Sequence, residues 1–154
     1  MDKHIGHIIA WKVPQRVGID TLRTAMQEAG VPADLAPELH PRHALARALR
    51  ELAKESPRIV RRLPDDDGHA RMQLTREYAD GLGLAYDPEA ILTLYGETVV
   101  PDRTGAEALA GEAERLLREH LACRLTSDLT RLLQRIVDAA GTDLIPVREQ
   151  GGAY

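Results

Sequence analysis

Residues 40–78, HPRHALARALRELAKESPRIVRRLPDDDGHARMQLTREY, contain the pattern that decides the predicted fold. Apolar side chains recur at helical spacing over residues 40–55, and Pro41 suits the first turn of a helix. The segments RIVRRL and ARMQLTREY then indicate two strands, joined by PDDDGH, whose Asp-Gly pair is typical of a hairpin turn. The stretch therefore predicts a helix followed by a two-stranded hairpin.

The residues before this stretch complete the element order of a winged helix. HIIAWKV (7–13) indicates a strand, and GIDTLRTAMQEAG (18–30) indicates a helix with Asp20 as its N-cap and Gly30 at its end. Residues 31–39 contain two prolines and allow at most a short helix or turn. A strand, a helix, a turn, a helix and a hairpin together describe a helix-turn-helix with a β-wing.

The second half of the chain repeats this order without repeating the sequence. ILTLYGETVV (91–100) indicates a strand or hairpin with Gly96 at its turn, and helical patterns follow at 105–122 and 126–141. In the second of these helices Thr126 or Ser127 suits the N-cap. The closing segment, DLIPVREQGGAY, then starts what we expect to be a second hairpin.

We therefore predict an α+β protein that is mainly helical and consists of two winged-helix modules in tandem. The predicted modules are residues 1–80 and 91–154, separated by a linker at 81–90, and the second module either is truncated within its wing or has a minimal wing.

Composition limits the class and location of the protein. The chain has 154 residues, a net charge of −4 and one cysteine. No stretch approaches the roughly 20 apolar residues that cross a bilayer, and the N-terminus lacks a secretory signal. A single cysteine excludes an internal disulfide and fits a reducing compartment. We therefore expect a cytoplasmic protein with no membrane contact.

The helix at 40–55 carries the strongest candidate binding surface. At about 100° per residue, His43, Arg47, Arg50 and Lys54 fall within about 60° of arc, opposite an apolar face. Arginine can grip a phosphate or a guanine with two hydrogen bonds, so this face suits nucleic acid. The alternative is an ordinary solvated helix face with neighbouring charges. Because the net charge is negative, a nucleic-acid-binding role must rest on such a local patch.

Two further groups of residues extend this predicted surface. Arg61 and Arg62 lie on the first wing strand, whereas the wing tip, residues 65–67, would repel phosphate. On the helix at 126–141, polar side chains with base-reading chemistry lie opposite the apolar face. The predicted nucleic-acid-binding residues are Arg42, His43, Arg47, Arg50, Lys54, Arg61, Arg62, Arg131, Gln134 and Arg135.

Motifs for catalysis, metal binding or cofactor binding are not evident. The Asp triplet at 65–67 lacks the alternating ligand spacing of a calcium loop, and DGLGLAYDPEA lacks the Lys and spacing of a phosphate loop. Cys123 is more typical of a small apolar residue than of a nucleophile. Trp11 and the four tyrosines are scattered, so no stacking platform for single strands is predicted. We therefore predict a non-enzymatic protein without metal or cofactor.

Three segments carry a resemblance to a protein family: WKVP, HPRHALARALREL and TSDLTRLLQRIVDAAGTDLIPVREQGGAY. Together they resemble an uncharacterised phage and bacterial family, mainly at the two ends of the chain. Members of that family are usually longer, so the resemblance implies that this chain is an N-terminal portion. It also implies a phage or mobile-element setting, and it implies no catalytic residues.

The leading hypothesis is a double-stranded-DNA-binding protein. The alternative is a protein-interaction module that forms a homodimer or binds a host protein, since fold does not fix function. One version of the alternative is an acidic protein that interferes with a host nucleic-acid-binding complex. That version would use residues 65–67 and the acidic helix at 105–121.

Overall fold

The computed structural model describes residues 10–141, which fall into two compact units. The central unit is residues 39–122. The terminal unit combines the two ends of the chain, and its described part is residues 10–38 and 123–141. This division differs from the predicted modules at 1–80 and 91–154, because the middle of the chain forms one unit.

Helices and strands alternate irregularly along the described residues. The helices are α1 (Ile19–Glu28), α2 (Pro41–Glu55), α3 (Glu107–Leu121) and α4 (Thr126–Ala139). The strands are β1 (Arg16–Gly18), β2 (Arg58–Asp66), β3 (His69–Ala79), β4 (Leu84–Tyr95), β5 (Thr98–Pro101) and β6 (Cys123–Leu125). A short 3-10 turn covers Ala33–Leu35.

The central unit is a four-stranded antiparallel sheet in the order β2-β3-β4-β5, with α2 and α3 packed on one face. Alternate strand residues point towards the helices, as the two-residue period of a strand requires. Five leucines form the innermost layer of the core, and burial of each contributes about 1.5–3 kcal/mol. They are Leu45, Leu49, Leu74, Leu92 and Leu117.

The β2–β3 hairpin turns at Asp67 and Gly68, which both have positive φ, 47° and 79°. Asp66 pairs with His69 on either side of this two-residue loop. Two positive φ values are typical of the type I′ turn, which matches the twist of the flanking strands. The hairpin predicted at an Asp-Gly turn is therefore confirmed.

A β-bulge interrupts the pairing of β3 with β4. Leu74 pairs with Ala90 and Thr75 with Pro88, so Glu89 is the extra residue. The Glu89 carboxylate accepts hydrogen bonds from the guanidinium groups of Arg58 and Arg76. The bulge thus places one acidic group between two arginines, which come from neighbouring strands.

The helices of the central unit are joined to each other by a polar contact. Nε2 of the buried His120 on α3 lies 3.0 Å from Oε2 of Glu51 on α2. The other buried residues of the two helices are apolar, so this pair is a polar contact within an apolar interface.

The terminal unit contains a short antiparallel pair, β1 with β6, in which Val17 lies opposite Arg124. Arg124 is buried, and its Nε donates to the carbonyl oxygen of Pro37 at 2.6 Å. A buried guanidinium must be hydrogen-bonded, because an unpaired buried charge is costly. The bond from Arg124 therefore holds the loop at Pro37 next to β6. Nε of Arg16 donates to Sγ of Cys123 at 2.9 Å.

The prediction of a mainly helical protein with two tandem winged-helix modules is wrong. Of the described residues, 43% are helical and 33% are in strands, so the fold is α+β with a large sheet component. The β2–β3 hairpin is not an isolated wing, because β4 and β5 extend it into one sheet. Residues 81–90, predicted as a linker, span the β3–β4 turn and the first half of β4.

Several local predictions can be compared with the structure. The helices at α1, α2, α3 and α4 and the turn at Gly96 are confirmed. The predicted caps are wrong: α1 begins after Gly18 without a side-chain cap, and α4 begins after Leu125, whose N–H donates to Asp128. Residues 7–9 of the predicted first strand and the whole of the predicted closing hairpin lie outside the described residues, and residues 11–13 of that first strand form no strand.

Candidate nucleic-acid interface

A basic groove lies between α2 and the β2–β3 hairpin of the central unit. It is a pocket of about 190 Å³, and we define it by its polar lining, Arg42, His43, Arg50 and Arg62. Its floor is apolar and consists of Ala46, Val60, Ala70 and Met72. Four of the ten predicted binding residues therefore meet at one place.

Helix and strand periodicity explain why these side chains converge. Arg42, Ala46 and Arg50 are four residues apart, so they form one row along α2. Val60 and Arg62 are two residues apart on β2, so they point to the same face of the sheet. The row on the helix thus faces the edge strand of the sheet across the pocket.

Positive charge dominates the basic groove. Asp65 accepts a hydrogen bond from Nη2 of Arg42 at 2.8 Å and lies 3.4 Å from Nη2 of Arg62. Within residues 10–141, Arg50 and His43 make no ion pair, and Arg50 is exposed. Three guanidinium groups line the groove and only two of them contact the Asp65 carboxylate, so the groove keeps an excess of positive charge that attracts an anion.

The remaining predicted residues do not line this groove. Arg47 and Lys54 lie on α2 but do not line the pocket; Arg47 is half-buried and Lys54 is exposed. Arg61 precedes Arg62 on β2 and points to the opposite face of the sheet, because strand side chains alternate. The other three predicted residues are exposed on α4 of the terminal unit: Arg131, Gln134 and Arg135.

The acidic face of α3 is largely paired within the helix. Arg115 forms ion pairs with Glu112 and Glu119, and Arg118 pairs with Glu114. Hydrogen bonding from Arg115 lowers the pKa of Glu112. These pairs neutralise much of the negative charge that the sequence assigns to this helix.

One pair of rings is an arrangement that the sequence analysis missed. His69 begins β3 and Tyr95 ends β4, and their ring centroids lie 4.3 Å apart at 46°. The β3–β4 register makes these residues opposite neighbours, although they are far apart in sequence. The sequence could have indicated this contact only if β3 and β4 had been predicted to pair. Residues 81–90 were instead predicted to be a linker between two modules.

A second pocket, of about 240 Å³, lies at the N-terminus of α2 and is lined by Arg42, His40 and His69 among others. Arg42 therefore borders both pockets, and His69 connects the second pocket with the ring of Tyr95. The basic groove and the ring pair are thus neighbours at one end of the sheet.

Within residues 10–141, no group of three or more His, Cys, Asp or Glu side chains is arranged to hold a metal ion. The Asp65 carboxylate instead contacts two arginines, and Asp66 lies 3.9 Å from Arg71. The same stretch of chain contains no helix that is both long and apolar enough to span a membrane.

Comparison with known proteins identifies a family that the chain matches. Residues 4–154 match the model of one protein family, described as a family of unknown function (DUF6744). No curated protein and no solved structure matches the chain. Functional interpretation therefore depends on the geometry of the chain itself.

Proposed function

The chain belongs to the DUF6744 family, whose function is unknown, and we propose that it is a non-enzymatic nucleic-acid-binding protein that holds phosphate groups in its basic groove. The observation that carries the proposal is the convergence of Arg42, Arg50 and Arg62 on one pocket from a helix and a strand. Phosphate contacts supply most of the affinity of non-specific nucleic-acid binding.

The chemistry of the groove suits a sugar-phosphate backbone. A guanidinium donates two parallel hydrogen bonds to a phosphate, which makes arginine the preferred residue for this contact. Asp65 already orients Arg42 and Arg62, so less side-chain freedom is lost on binding. The apolar floor, which includes Val60 and Met72, offers contact area to the sugar carbons.

The groove contacts the backbone, which duplex DNA and single strands both present. Double-stranded DNA therefore remains a ligand in this proposal, now supported by the groove rather than by a recognition helix. A cytoplasmic location and a phage or mobile-element setting remain predictions. The single cysteine supports the former, because a disulfide-free chain suits a reducing compartment.

We expect the Arg50→Ala/Arg62→Ala variant to lose roughly tenfold or more in affinity for a mixed-sequence DNA duplex, since each charge-assisted hydrogen bond contributes about 1.5–3 kcal/mol. Fluorescence anisotropy between about 50 and 200 mM salt would also show a shallower salt dependence, because fewer counterions are released. In this variant Arg42 remains in the groove, where it is still paired with Asp65.

The matched control is Arg115→Ala/Arg118→Ala, which removes the same charge from the exposed side of α3 in the same unit. We expect this control to bind DNA almost as tightly as the wild type. Equal affinity of the wild type and the Arg50→Ala/Arg62→Ala variant would contradict the proposal.

A second candidate function, binding to a protein, is supported by the free end of the β3–β4 hairpin. We call residues 77–87 the arm. Its side chains Leu82, Leu84 and Tyr86 are 98%, 63% and 53% exposed. Exposed apolar side chains in a contiguous patch mark interaction sites. The arm contains Glu and Asp but no Lys or Arg, so it repels phosphate. The arm therefore supports protein binding and does not support nucleic-acid binding.

A further inference from the structure

The face of the four-stranded sheet that α2 and α3 leave uncovered has a distinct composition. The buried residues Ala70, Met72 and Leu74 of β3 point towards the helices, so His69, Arg71 and Gln73 point to the other side. We call this side the open face. The register adds Leu63 and Thr93 as opposite neighbours of Arg71, and Arg61 and Ile91 as opposite neighbours of Gln73.

An exposed aromatic ring stands at one end of the open face. Tyr95 is 48% exposed, and its ring contacts that of His69 at 4.3 Å between centroids. The contact fixes the orientation of both rings while leaving part of the tyrosine accessible. Any nucleobase can stack on such a ring, because every base has a π-face.

Cations lie beside this ring on the same face. Arg71 is one strand and two residues away from Tyr95, which corresponds to about 8 Å between Cα atoms from standard strand spacing and rise. Arg71 forms one long ion pair, at 3.9 Å, with Asp66, and its side chain is 31% exposed. Within residues 10–141, the exposed Arg61 on β2 makes no ion pair. Arg61 is thus available to phosphate, and Arg71 can bind phosphate in exchange for its long ion pair with Asp66.

The edge strand β2 links the open face with the basic groove. Arg61 points to the open face and Arg62 to the groove, and β2 is an edge strand of this sheet among the strands of residues 10–141. A flexible backbone that crosses this edge can contact both arginines. A duplex is too stiff to fold over a strand edge, and its bases are stacked on one another rather than free to stack on Tyr95.

We propose that the open face binds single-stranded nucleic acid, with a base stacked on Tyr95 and the phosphates beside it held by Arg71 and Arg61. This inference rests on the proposed function and names its substrate as a single strand that continues into the basic groove. Gln73 and Thr93 lie between these contacts and offer hydrogen bonds to base edges. DNA and RNA share this chemistry, so the test includes both.

The test measures anisotropy of labelled oligothymidine and oligouridine of about 12 nucleotides, within the usual range of single-strand site sizes, and of a duplex. We expect Tyr95→Leu to weaken single-strand binding by roughly fivefold or more and to leave duplex binding unchanged. Tyr95→Phe keeps the ring and should restore single-strand binding. The ratio of the two oligomers assigns the sugar preference.

Tyr78→Leu is the matched control, because Tyr78 is 47% exposed on the same hairpin but lies on the other face of its strand. We expect this variant to bind like the wild type, while Arg61→Ala/Arg71→Ala binds single strands more weakly. Thermal unfolding of each variant would separate loss of binding from loss of fold.

The outcomes distinguish this inference from the proposed function. If Tyr95→Leu binds single strands as tightly as the wild type while Arg50→Ala/Arg62→Ala weakens all ligands, the groove proposal stands and the open-face proposal fails. If the wild type binds neither ligand, both fail. If Tyr95→Leu instead dissociates an oligomer in a sizing run, the open face is a protein interface and the inference is overturned.

Discussion

At the scale of single residues, neighbours in sequence divide between different surfaces. Arg61 and Arg62 were predicted as one basic pair, yet the alternation of strand side chains sends Arg62 to the basic groove and Arg61 to the open face. His43 and Arg50 were predicted from helical spacing, which depends only on α2. The contribution of Arg62 to the same pocket could not be derived, because it depends on how β2 packs against that helix.

Glu89 shows how a single carboxylate organises its surroundings. Its side chain is 13% exposed and accepts hydrogen bonds from Arg58 and Arg76. Hydrogen bonding from Arg58, and then from Arg76, lowers the pKa of Glu89 below its ordinary value of 4.5, against the opposing effect of burial. Its charged form therefore stabilises the folded chain at neutral pH.

We expect Glu89→Gln to reduce the free energy of unfolding at pH 7 by about 1–3 kcal/mol, because two guanidinium groups lose their charged acceptor. Since the pKa is lower in the folded state, the stabilisation is complete above pH 4.5 and is lost as the pH falls through the folded-state pKa. Urea unfolding at several pH values should therefore show the two proteins converging in stability below pH 4.5.

Glu112→Gln is the control for this experiment. Arg115 lowers the pKa of Glu112 too, but this pair is exposed on α3, where water screens it. We expect a much smaller change in stability. A difference between wild type and Glu89→Gln that is independent of pH would argue against an ionic role for Glu89.

At the scale of elements, local patterns were predicted correctly and long-range pairing was not. Helical spacing located α2, α3 and α4, and the Asp-Gly turn located the β2–β3 hairpin. The β3–β4 pairing was missed because residues 80–83 have the composition of a linker, although they form a turn between two long strands. Without that pairing, neither the four-stranded sheet nor the meeting of His69 and Tyr95 could be inferred.

The β2–β3 turn gives a prediction at this scale. Gly68 has a φ of +79°, which other residues adopt only with strain. We expect Gly68→Ala to reduce the free energy of unfolding by about 1 kcal/mol, because the left-handed conformation crowds the added Cβ. Thermal or urea unfolding would measure this change.

Gly111→Ala is the opposite case and provides the control. Gly111 lies inside α3, is exposed, and has no atom within 4 Å of an added Cβ. Alanine should therefore stabilise the chain, by about 0.5–1 kcal/mol, because glycine loses more backbone freedom in a helix. Destabilisation of equal size by both substitutions would show that the turn conformation is not the cause.

At the scale of the whole molecule, charge is unevenly distributed. The net charge is −4, yet the basic groove carries an excess of cations and the arm carries only acidic charges. This separation favours two binding surfaces with different ligands over one uniform surface. Association with nucleic acid should therefore depend on local contacts more than on long-range attraction.

If the arm is a protein-binding surface that includes self-association, the wild type should elute as an oligomer in a sizing run, and Leu82→Ser/Leu84→Ser should shift it towards the monomer. The substitutions remove two leucines that are 98% and 63% exposed, and buried apolar area drives association. Val100→Ser, at an exposed site outside the arm, is the control. If the wild type is monomeric at every concentration tested, the prediction that the arm mediates self-association is wrong.

The order of the two units along the chain determines when each can fold during synthesis. β1 can pair only after β6 has been synthesised, and more than a hundred residues separate Arg16 from Cys123. At about 5–20 residues per second, a ribosome needs roughly 5–20 s to deliver that partner. During this interval residues 39–122 emerge with all of their own strand partners. The central unit can thus complete its sheet before β1 is able to pair with β6.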